Sequence, residues 1–147
     1  MGKLRTKEQN NKIRTQATND RICCSEQYPW FSFKSLTSNS NYNLSSLKQG
    51  TEREATLHGL FEKLHELSSN TWLHWTQQPK KTGLETLKYE DIGFKACSSI
   101  TNDATVYIFR FDTHLGSGHG RIIGYKDAPC ATLHIIGFDL DFSAYKH

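Results

Sequence analysis

The sequence predicts an α+β protein in which a helix pair is followed by a small antiparallel sheet. Apolar residues recur at spacings of three and four between residues 52 and 67, as in an amphipathic helix. The last third of the chain, residues 104–138, instead alternates like a series of strands. Because few apolar residues precede Ile22, we expect residues 1–27 to form a flexible basic arm and residues 28–147 to form one α+β domain.

The arm concentrates the positive charge of the chain. Residues 1–21 hold six basic and two acidic side chains and carry +4, so the remaining residues carry −1 of the total of +3. Such a segment favours contact with a polyanion, either RNA or a ribosome, although a solvated tail has the same composition. The residues of the arm that we expect to bind nucleic acid are Lys3, Arg5, Lys7, Lys12 and Arg14.

The first elements of the domain are a strand and a long helix. Aromatic residues alternate in part over Trp30–Leu36, which suits a strand. A helix is predicted from about Glu52 to Leu67, with a capping box formed by Thr51 and Glu54 at its start. The apolar stripe of this helix is expected to face the sheet. It consists of Leu57, Leu60, Phe61, Leu64 and Leu67.

A second, short helix carries Trp72 and ends before Pro79, which cannot continue a helix. The basic turn that follows contains Lys80 and Lys81, which we expect to bind nucleic acid together with the arm. The segment Leu84–Cys97 has no clear periodicity and is left unassigned.

Three strands complete the predicted sheet, over Ala104–Phe111, Arg121–Tyr125 and Thr132–Phe138. The glycines of Gly116–Gly120 invite comparison with a phosphate-binding loop. They lack the strand–loop–helix context and the Lys-Ser/Thr ending of such a loop, so they indicate a hairpin connection. Asp127–Pro129 forms the second turn. These turns predict an antiparallel meander.

The sequence predicts a cytoplasmic protein without a membrane segment or cofactor. It contains no apolar run of about 18 residues, as a spanning helix needs, and no apolar stretch of a secretory signal near its start. In the cytoplasm the cysteines are expected to be free thiols. The adjacent pair Cys23 and Cys24 lacks the spacing of a zinc knuckle.

Two other arrangements of side chains have the residue types of a chemical site. His58, Glu62 and His65 could line one face of the helix as metal ligands, but no further ligand motif accompanies them, so no metal is predicted. A nucleophile pair of Cys97 or Cys130 with His134 has no local support, and buried cysteine is the default interpretation. We therefore expect any chemistry to reside elsewhere.

The candidate catalytic site is C-terminal. In an antiparallel hairpin, Arg110 at the end of one strand and Arg121 at the start of the next would lie side by side and could hold one phosphate. Tyr145 or His147 could then transfer a proton, with His134 as a further member. The alternative is two surface arginines, an ordinary strand histidine and a frayed tail.

The chain resembles a set of small bacterial proteins through Phe31–Lys34, Leu57–Ser68 and Arg121–Tyr145. Its ending also resembles the RelE/ParE-like toxin superfamily, in which sheet arginines and a late tyrosine correspond to Arg110, Arg121 and Tyr145. That resemblance implies cleavage of mRNA on the ribosome, or a related block on a nucleic-acid machine, and a partner antitoxin.

Two functions follow as hypotheses. The first is a toxin-like, metal-independent ribonuclease, in which a base activates the ribose 2′-hydroxyl and arginines stabilise the charge of the transition state. The second is a non-enzymatic phage or mobile-element protein that binds and inhibits a host protein or nucleic-acid machine through aromatic side chains and the basic arm. Asp139 and Asp141 would repel phosphate and favour the second.

Overall fold

The computed structural model describes residues 27–48, 53–80, 83–114, 118–127 and 131–146. Seven regular elements form one five-stranded sheet and two helices, and two short 3-10 turns cover Ser46–Lys48 and Tyr89–Asp91. The predicted arm lies outside the described residues except for Gln27. The elements are β1 (Trp30–Ser32), α1 (Arg53–Ser68), α2 (Trp72–Thr76), β2 (Leu84–Lys88), β3 (Thr105–His114), β4 (Gly118–Lys126) and β5 (Thr132–Asp139).

The sheet corrects the predicted fold class. Its strand order is β1-β5-β4-β3-β2, and it is mixed rather than small and antiparallel. Strand β1 precedes both helices and pairs in parallel with β5, with Trp30 opposite Thr132. Strand β2 extends the opposite edge, antiparallel to β3, with Leu84 opposite Phe109. The protein is therefore mostly β, and a helix pair followed by a small antiparallel sheet is wrong.

The two helices begin and end close to their predicted limits. Thr71 caps α2 by accepting a hydrogen bond from the backbone N–H of His74. No helix among the described residues is long and apolar enough to span a membrane.

The prediction for the buried face of α1 is only partly right: Leu60 and Leu67 are buried, but Phe61 is 66% exposed.

The orientation of α1 is explained by Gly59. A Cβ atom on this residue would lie 1.7 Å from the carbonyl oxygen of Asp112 in β3, so only glycine permits so close an approach. The helix therefore contacts β3 through Gly59 and Leu60, so the predicted apolar stripe is not centred on the sheet. As a result Leu64 is half-buried rather than central in the core, and Phe61 projects into solvent.

The helix-covered face of the sheet contains the larger core. Trp72 and Trp75, both on α2, pack against Phe109 of β3. Both indole N–H groups have partners despite their burial: Trp72 donates to the carbonyl of Ala131 at 2.7 Å, and Trp75 donates to the carbonyl of Leu67 at 3.3 Å. The core thus buries its two largest side chains without an unsatisfied donor.

The other face of the sheet is covered by loops and by the C-terminal segment. Tyr42 stacks on Phe94 with their ring centroids 4.5 Å apart, above the sheet residues of a second core. The backbone N–H of Gly93 donates to the carbonyl of Ala144 at 2.7 Å, and the hydroxyls of Tyr42 and Ser143 lie 2.8 Å apart. These contacts hold the last described residues across the sheet, where the candidate site lies.

Candidate functional site

Three of the predicted site residues lie together. Arg110 and Arg121 are directly opposite each other in the β3–β4 ladder, so their side chains leave the same face of the sheet. The C-terminal segment returns over this face and places the ring of Tyr145 4.5 Å from the guanidinium carbon of Arg121. The contacts of each residue decide what this cluster can do.

Arg121 is enclosed, with 1% of its surface exposed. Its Nη1 atom lies 3.0 Å from Oδ2 of Asp139, which is itself fully buried and directly opposite it in the β4–β5 ladder. The rings of Phe142 and Tyr145 stack on the guanidinium at 4.3 and 4.5 Å. This charge is neutralised and shielded from solvent, so Arg121 could reach a phosphate only if the C-terminal segment left the sheet.

Asp139 organises the segment that covers Arg121. Its carboxylate accepts hydrogen bonds from the backbone N–H groups of Ser143, at 3.1 Å, and Ala144, at 3.4 Å. Phe142, immediately before Ser143, adopts a left-handed backbone with φ of 61°, which is costly for a bulky residue. The strained turn aims its ring at Arg121. The residue expected to repel phosphate is thus the counter-ion of Arg121.

Glu85 is the group that sequence reasoning missed. It lies in β2, the segment left unassigned, and its carboxylate is buried. It accepts a hydrogen bond from the Tyr145 hydroxyl at 3.1 Å, and its other oxygen lies 2.8 Å from Nζ of Lys80. Nη2 of Arg110 is 3.7 Å away. A strand assignment for residues 84–88 would have placed this acid beside the arginines.

The surroundings of Glu85 keep it ionised. Burial acts to raise the pKa of its carboxyl, whereas the hydrogen bonds from Lys80 and Tyr145 lower it. The charges of Lys80 and Arg110 lower it further, and the resulting pKa lies below the ordinary value of 4.5. Glu85 is therefore an anion at neutral pH and already occupies the position between these two cations.

Tyr145 is a poor candidate for a general base. Burial raises the pKa of its hydroxyl to about 12, and the nearby carboxylate of Glu85 also favours the protonated form, although Arg121 and Arg110 oppose this. At neutral pH the hydroxyl is protonated and donates to Glu85. It could serve as a proton donor only after that hydrogen bond is broken.

The accessible charges of the cluster are Arg110 and Lys80. Arg110 is about one-third exposed, and its buried Nε atom has no hydrogen-bond partner among the residues that the structure describes. The ammonium of Lys80 is mostly exposed. Lys80 was predicted to contact nucleic acid and Arg110 to be catalytic. Both side chains instead lie beside the same carboxylate, that of Glu85. Together they offer a small basic surface at the β2 edge.

Of the remaining predicted residues, His134 is the one that the structure describes, and it lies away from this cluster. His134 stacks on Tyr125 at 4.9 Å and lies 3.4 Å from Oδ2 of Asp127. Tyr125, its ladder partner, is four residues beyond Arg121 on β4, or roughly 13 Å along the strand. Outside the described residues are Lys3, Arg5, Lys7, Lys12, Arg14, Lys81 and His147.

A shallow cleft runs beside the C-terminal segment, between Phe142 and the turn after β2. Its walls are mostly apolar, with the carboxylate of Asp91 and the ammonium of Lys146 as its charged groups. These two charges are both exposed and of opposite sign, and the hydroxyl of Tyr145, a buried side chain in the described lining, already donates to Glu85. The cleft therefore indicates no specific chemistry.

The described residues contain no group of three or more histidine, cysteine or acidic side chains arranged to hold a metal ion. Nδ1 of His58 lies 3.5 Å from a carboxylate oxygen of Glu62, with both side chains mostly in solvent. Cys97 is an exposed free thiol. Neither feature forms a site with His134.

A different feature stands out at the β1 edge of the sheet. Three large aromatic side chains within six residues are exposed: Tyr28 by 53%, Trp30 by 71% and Phe33 by 46%. We call these three residues the aromatic edge. The predicted strand Trp30–Leu36 includes Trp30 and Phe33 but not Tyr28, and the sequence did not predict that these rings would face solvent.

The backbone beneath the aromatic edge is fixed at several points. The carbonyl of Gln27 accepts a hydrogen bond from the N–H of Trp72 at 3.0 Å, and the N–H of Trp30 donates to the carbonyl of Ala131 at 3.3 Å. Between Gln27 and Trp30, Pro29 restricts the chain to an extended form. The rings thus extend into solvent from an ordered support.

No protein-family model, no curated protein and no solved structure matches this chain. The resemblance to RelE/ParE-like toxins therefore stays a prediction that rests on Arg110, Arg121 and Tyr145.

Proposed function

We propose that this protein acts by binding a host protein or nucleic-acid machine rather than by catalysis. The observation that carries the proposal is the aromatic edge, because Tyr28, Trp30 and Phe33 expose large rings on an ordered backbone. Exposed tryptophan and tyrosine are the side chains that contribute most to binding interfaces. A monomer gains nothing from leaving three such rings in water.

The arginine cluster supports the same proposal, because most of its hydrogen-bond donors already have partners within the protein. The charge of Arg121 is neutralised by Asp139 beneath two rings, and Tyr145 donates its proton to Glu85. A site that stabilises transition-state charge needs donors aimed at an empty position. Here Arg121, Lys80 and the Tyr145 hydroxyl already have carboxylate partners, as expected for a network that holds the C-terminal segment on the sheet.

The test is capture from a bacterial extract by immobilised full-length protein. We expect partners to be retained by the wild type and lost with Trp30→Ala, because truncating an exposed aromatic anchor removes its contact without disturbing the core. The matched control is Phe61→Ala on α1, which removes an equally exposed ring elsewhere. Identical capture by wild type and Trp30→Ala would refute a binding function of the aromatic edge.

A ribonuclease is the second candidate, favoured by the convergence of Arg110, Lys80 and Tyr145 around Glu85. In this case the substrate phosphate would replace the carboxylate of Glu85 between the two cations. Arg110→Ala and Tyr145→Phe test this role, because both leave the ion pair of Arg121 in place. Loss of RNA cleavage in both variants, with each variant still folded at the assay temperature, would establish the enzyme; an inactive wild type would exclude it.

A further inference from the structure

We infer that the aromatic edge binds an extended peptide segment of a partner protein, which adds as a further strand beside β1. The inference rests on the proposed binding function and names the chemistry of the partner. Strand addition of this kind combines main-chain hydrogen bonds along the edge of a sheet with contacts to the side chains around that edge. The described residues at β1 have the groups for both.

The backbone of β1 has a donor and an acceptor that point away from the sheet. Among the described strands β1 is an outer one, paired along one side with β5. The N–H of Trp30 donates to the carbonyl of Ala131, so in this parallel ladder Trp30 and Ser32 direct their backbone groups towards β5. The N–H and C=O of Phe31, between them, therefore face outwards. The backbone of another extended segment has the complementary groups.

The exposed rings lie where a peptide on this edge would place its side chains. Phe31 packs towards the helix-covered core, so Trp30 projects from the opposite side of the strand, where it is 71% exposed. In an antiparallel pair, a peptide residue opposite Trp30 has its Cβ atom about 4.5–5.5 Å from that of Trp30. Tyr28 and Phe33 are exposed before and after the strand. The rings therefore border the stretch that such a peptide would occupy.

Charge favours an uncharged peptide segment over a polyanion at this edge. Residues 27–33 have no charged side chain, and the run is bordered in sequence by the acidic Glu26 and the basic Lys34. Outer strands are commonly protected from further pairing by charged side chains, above all lysine, and the three residues of β1 have none. With one acid and one base, residues 26–34 have no net charge that would attract a phosphate backbone.

The size of the edge favours a short peptide over a second copy of this chain. From about 150–250 Å² for a fully covered aromatic side chain, the exposed fractions of 53%, 71% and 46% leave roughly 250–430 Å² to be buried. A standard interface between folded proteins buries about 800 Å² on each partner. Pro29 has no N–H, and the carbonyl of Phe33 accepts from Leu36 in a turn, so pairing cannot extend far beyond β1. A segment of a few residues fits the area available.

The experiment selects binders from a phage-displayed library of random decapeptides on the immobilised full-length wild type. The enriched peptides are then synthesised, and their affinities are measured by fluorescence anisotropy. Trp30→Ala should bind them roughly 5- to 30-fold more weakly, the loss typical of an aromatic hot spot. Phe61→Ala, the control with a comparably exposed ring on α1, should bind like the wild type. Trp30→Phe should retain much of the affinity, because it keeps an aromatic face.

Methylation of single nitrogens in the peptide backbone separates strand pairing from contact with the rings alone. Because Phe31 directs one carbonyl outwards, one peptide N–H should be critical. Its methylation should weaken binding roughly 2- to 13-fold, the value of one backbone hydrogen bond. Methylation of the two neighbouring nitrogens, which point away from β1, should change the affinity little.

Four results would each overturn the inference: no enriched peptide, equal affinities of wild type and Trp30→Ala, equal tolerance of methylation at every nitrogen, or Trp30-dependent dimerisation in sedimentation. Trp30-dependent binding of an oligouridylate in place of any peptide would assign the edge to nucleic acid and overturn it as well. In these cases Trp30-dependent capture from extract still supports the proposed function, and only the peptide partner is wrong. If capture does not depend on Trp30, the proposed function fails too.

Discussion

Arg121 shows how burial changes the role of a basic side chain. Its position opposite Arg110 follows from the hairpin that the sequence predicts. Its pairing with Asp139 depends on the register between β4 and β5, which contains an irregularity after Ile123 that no local pattern reveals. Glu85 was missed for a similar reason, because it reaches the cluster from β2, a short strand whose partner lies about 20 residues later.

Replacing Arg121 with alanine should destabilise the protein by about 3–5 kcal/mol, because the change leaves the buried carboxylate of Asp139 without its counter-ion. Arg110→Ala should cost less than about 1 kcal/mol, since Arg110 is partly exposed and its contact with Glu85 is long. Urea unfolding of the two variants measures the difference. Similar losses would show that the Arg121–Asp139 pair is not a buried anchor.

Tyr145→Phe should change how stability depends on pH. The folded-state pKa of Glu85 is lowered, so its contribution is present above its ordinary value of 4.5 and is lost as the pH falls through the folded value. Without the Tyr145 hydroxyl, that pKa should rise towards 4.5, and about 1–2 kcal/mol should be lost at neutral pH.

Unfolding free energies of wild type and Tyr145→Phe between neutral and acidic pH check this expectation. The two curves should approach each other as Glu85 becomes protonated. On the alkaline side, the wild-type pKa of about 12 for Tyr145 means that its contribution is present below pH 10.0 and declines as the pH rises towards 12. A gap that stays constant with acidification would contradict the role given to this hydrogen bond.

At the scale of elements, local periodicity was enough to predict the helices and strands whose packing partners are near in sequence. The helices and the strands β3 to β5 were predicted and are confirmed, since each carries a full turn or alternation pattern. Strand β1 has three residues and pairs with a strand 100 residues later, so its parallel pairing leaves no local signal. The rotation of α1 depends on Gly59 meeting Asp112, a tertiary contact.

The rotation of α1 predicts unequal effects of two neighbouring substitutions. Leu60→Ala should cost about 2–5 kcal/mol, because Leu60 is buried against the sheet. Phe61→Ala should stay within about 0.5 kcal/mol of the wild type, because Phe61 projects into solvent. Thermal or urea unfolding of both variants distinguishes the observed orientation of α1 from the predicted one, in which Leu60 and Phe61 would both lie in the core. A large loss with Phe61→Ala would refute the observed orientation.

At the scale of the whole molecule, both faces of the sheet are covered, and the aromatic edge exposes its rings beside the edge strand β1. Helices cover one face, and loops with the C-terminal segment cover the other. The charges near the C-terminal segment are mostly paired internally, whereas the aromatic edge has rings in solvent. Composition could not separate an enzyme from a binding protein, because it does not show which arginines and aromatic rings are buried.

The central claim, that the protein binds rather than cleaves, is tested most directly by incubating excess wild-type protein with end-labelled, ribosome-bound mRNA. We predict that the RNA is recovered at full length, because the cations of the cluster are occupied by Glu85 and Asp139. Discrete cleavage products that appear with the wild type and are absent with both Arg110→Ala and Tyr145→Phe would contradict the account and establish a ribonuclease.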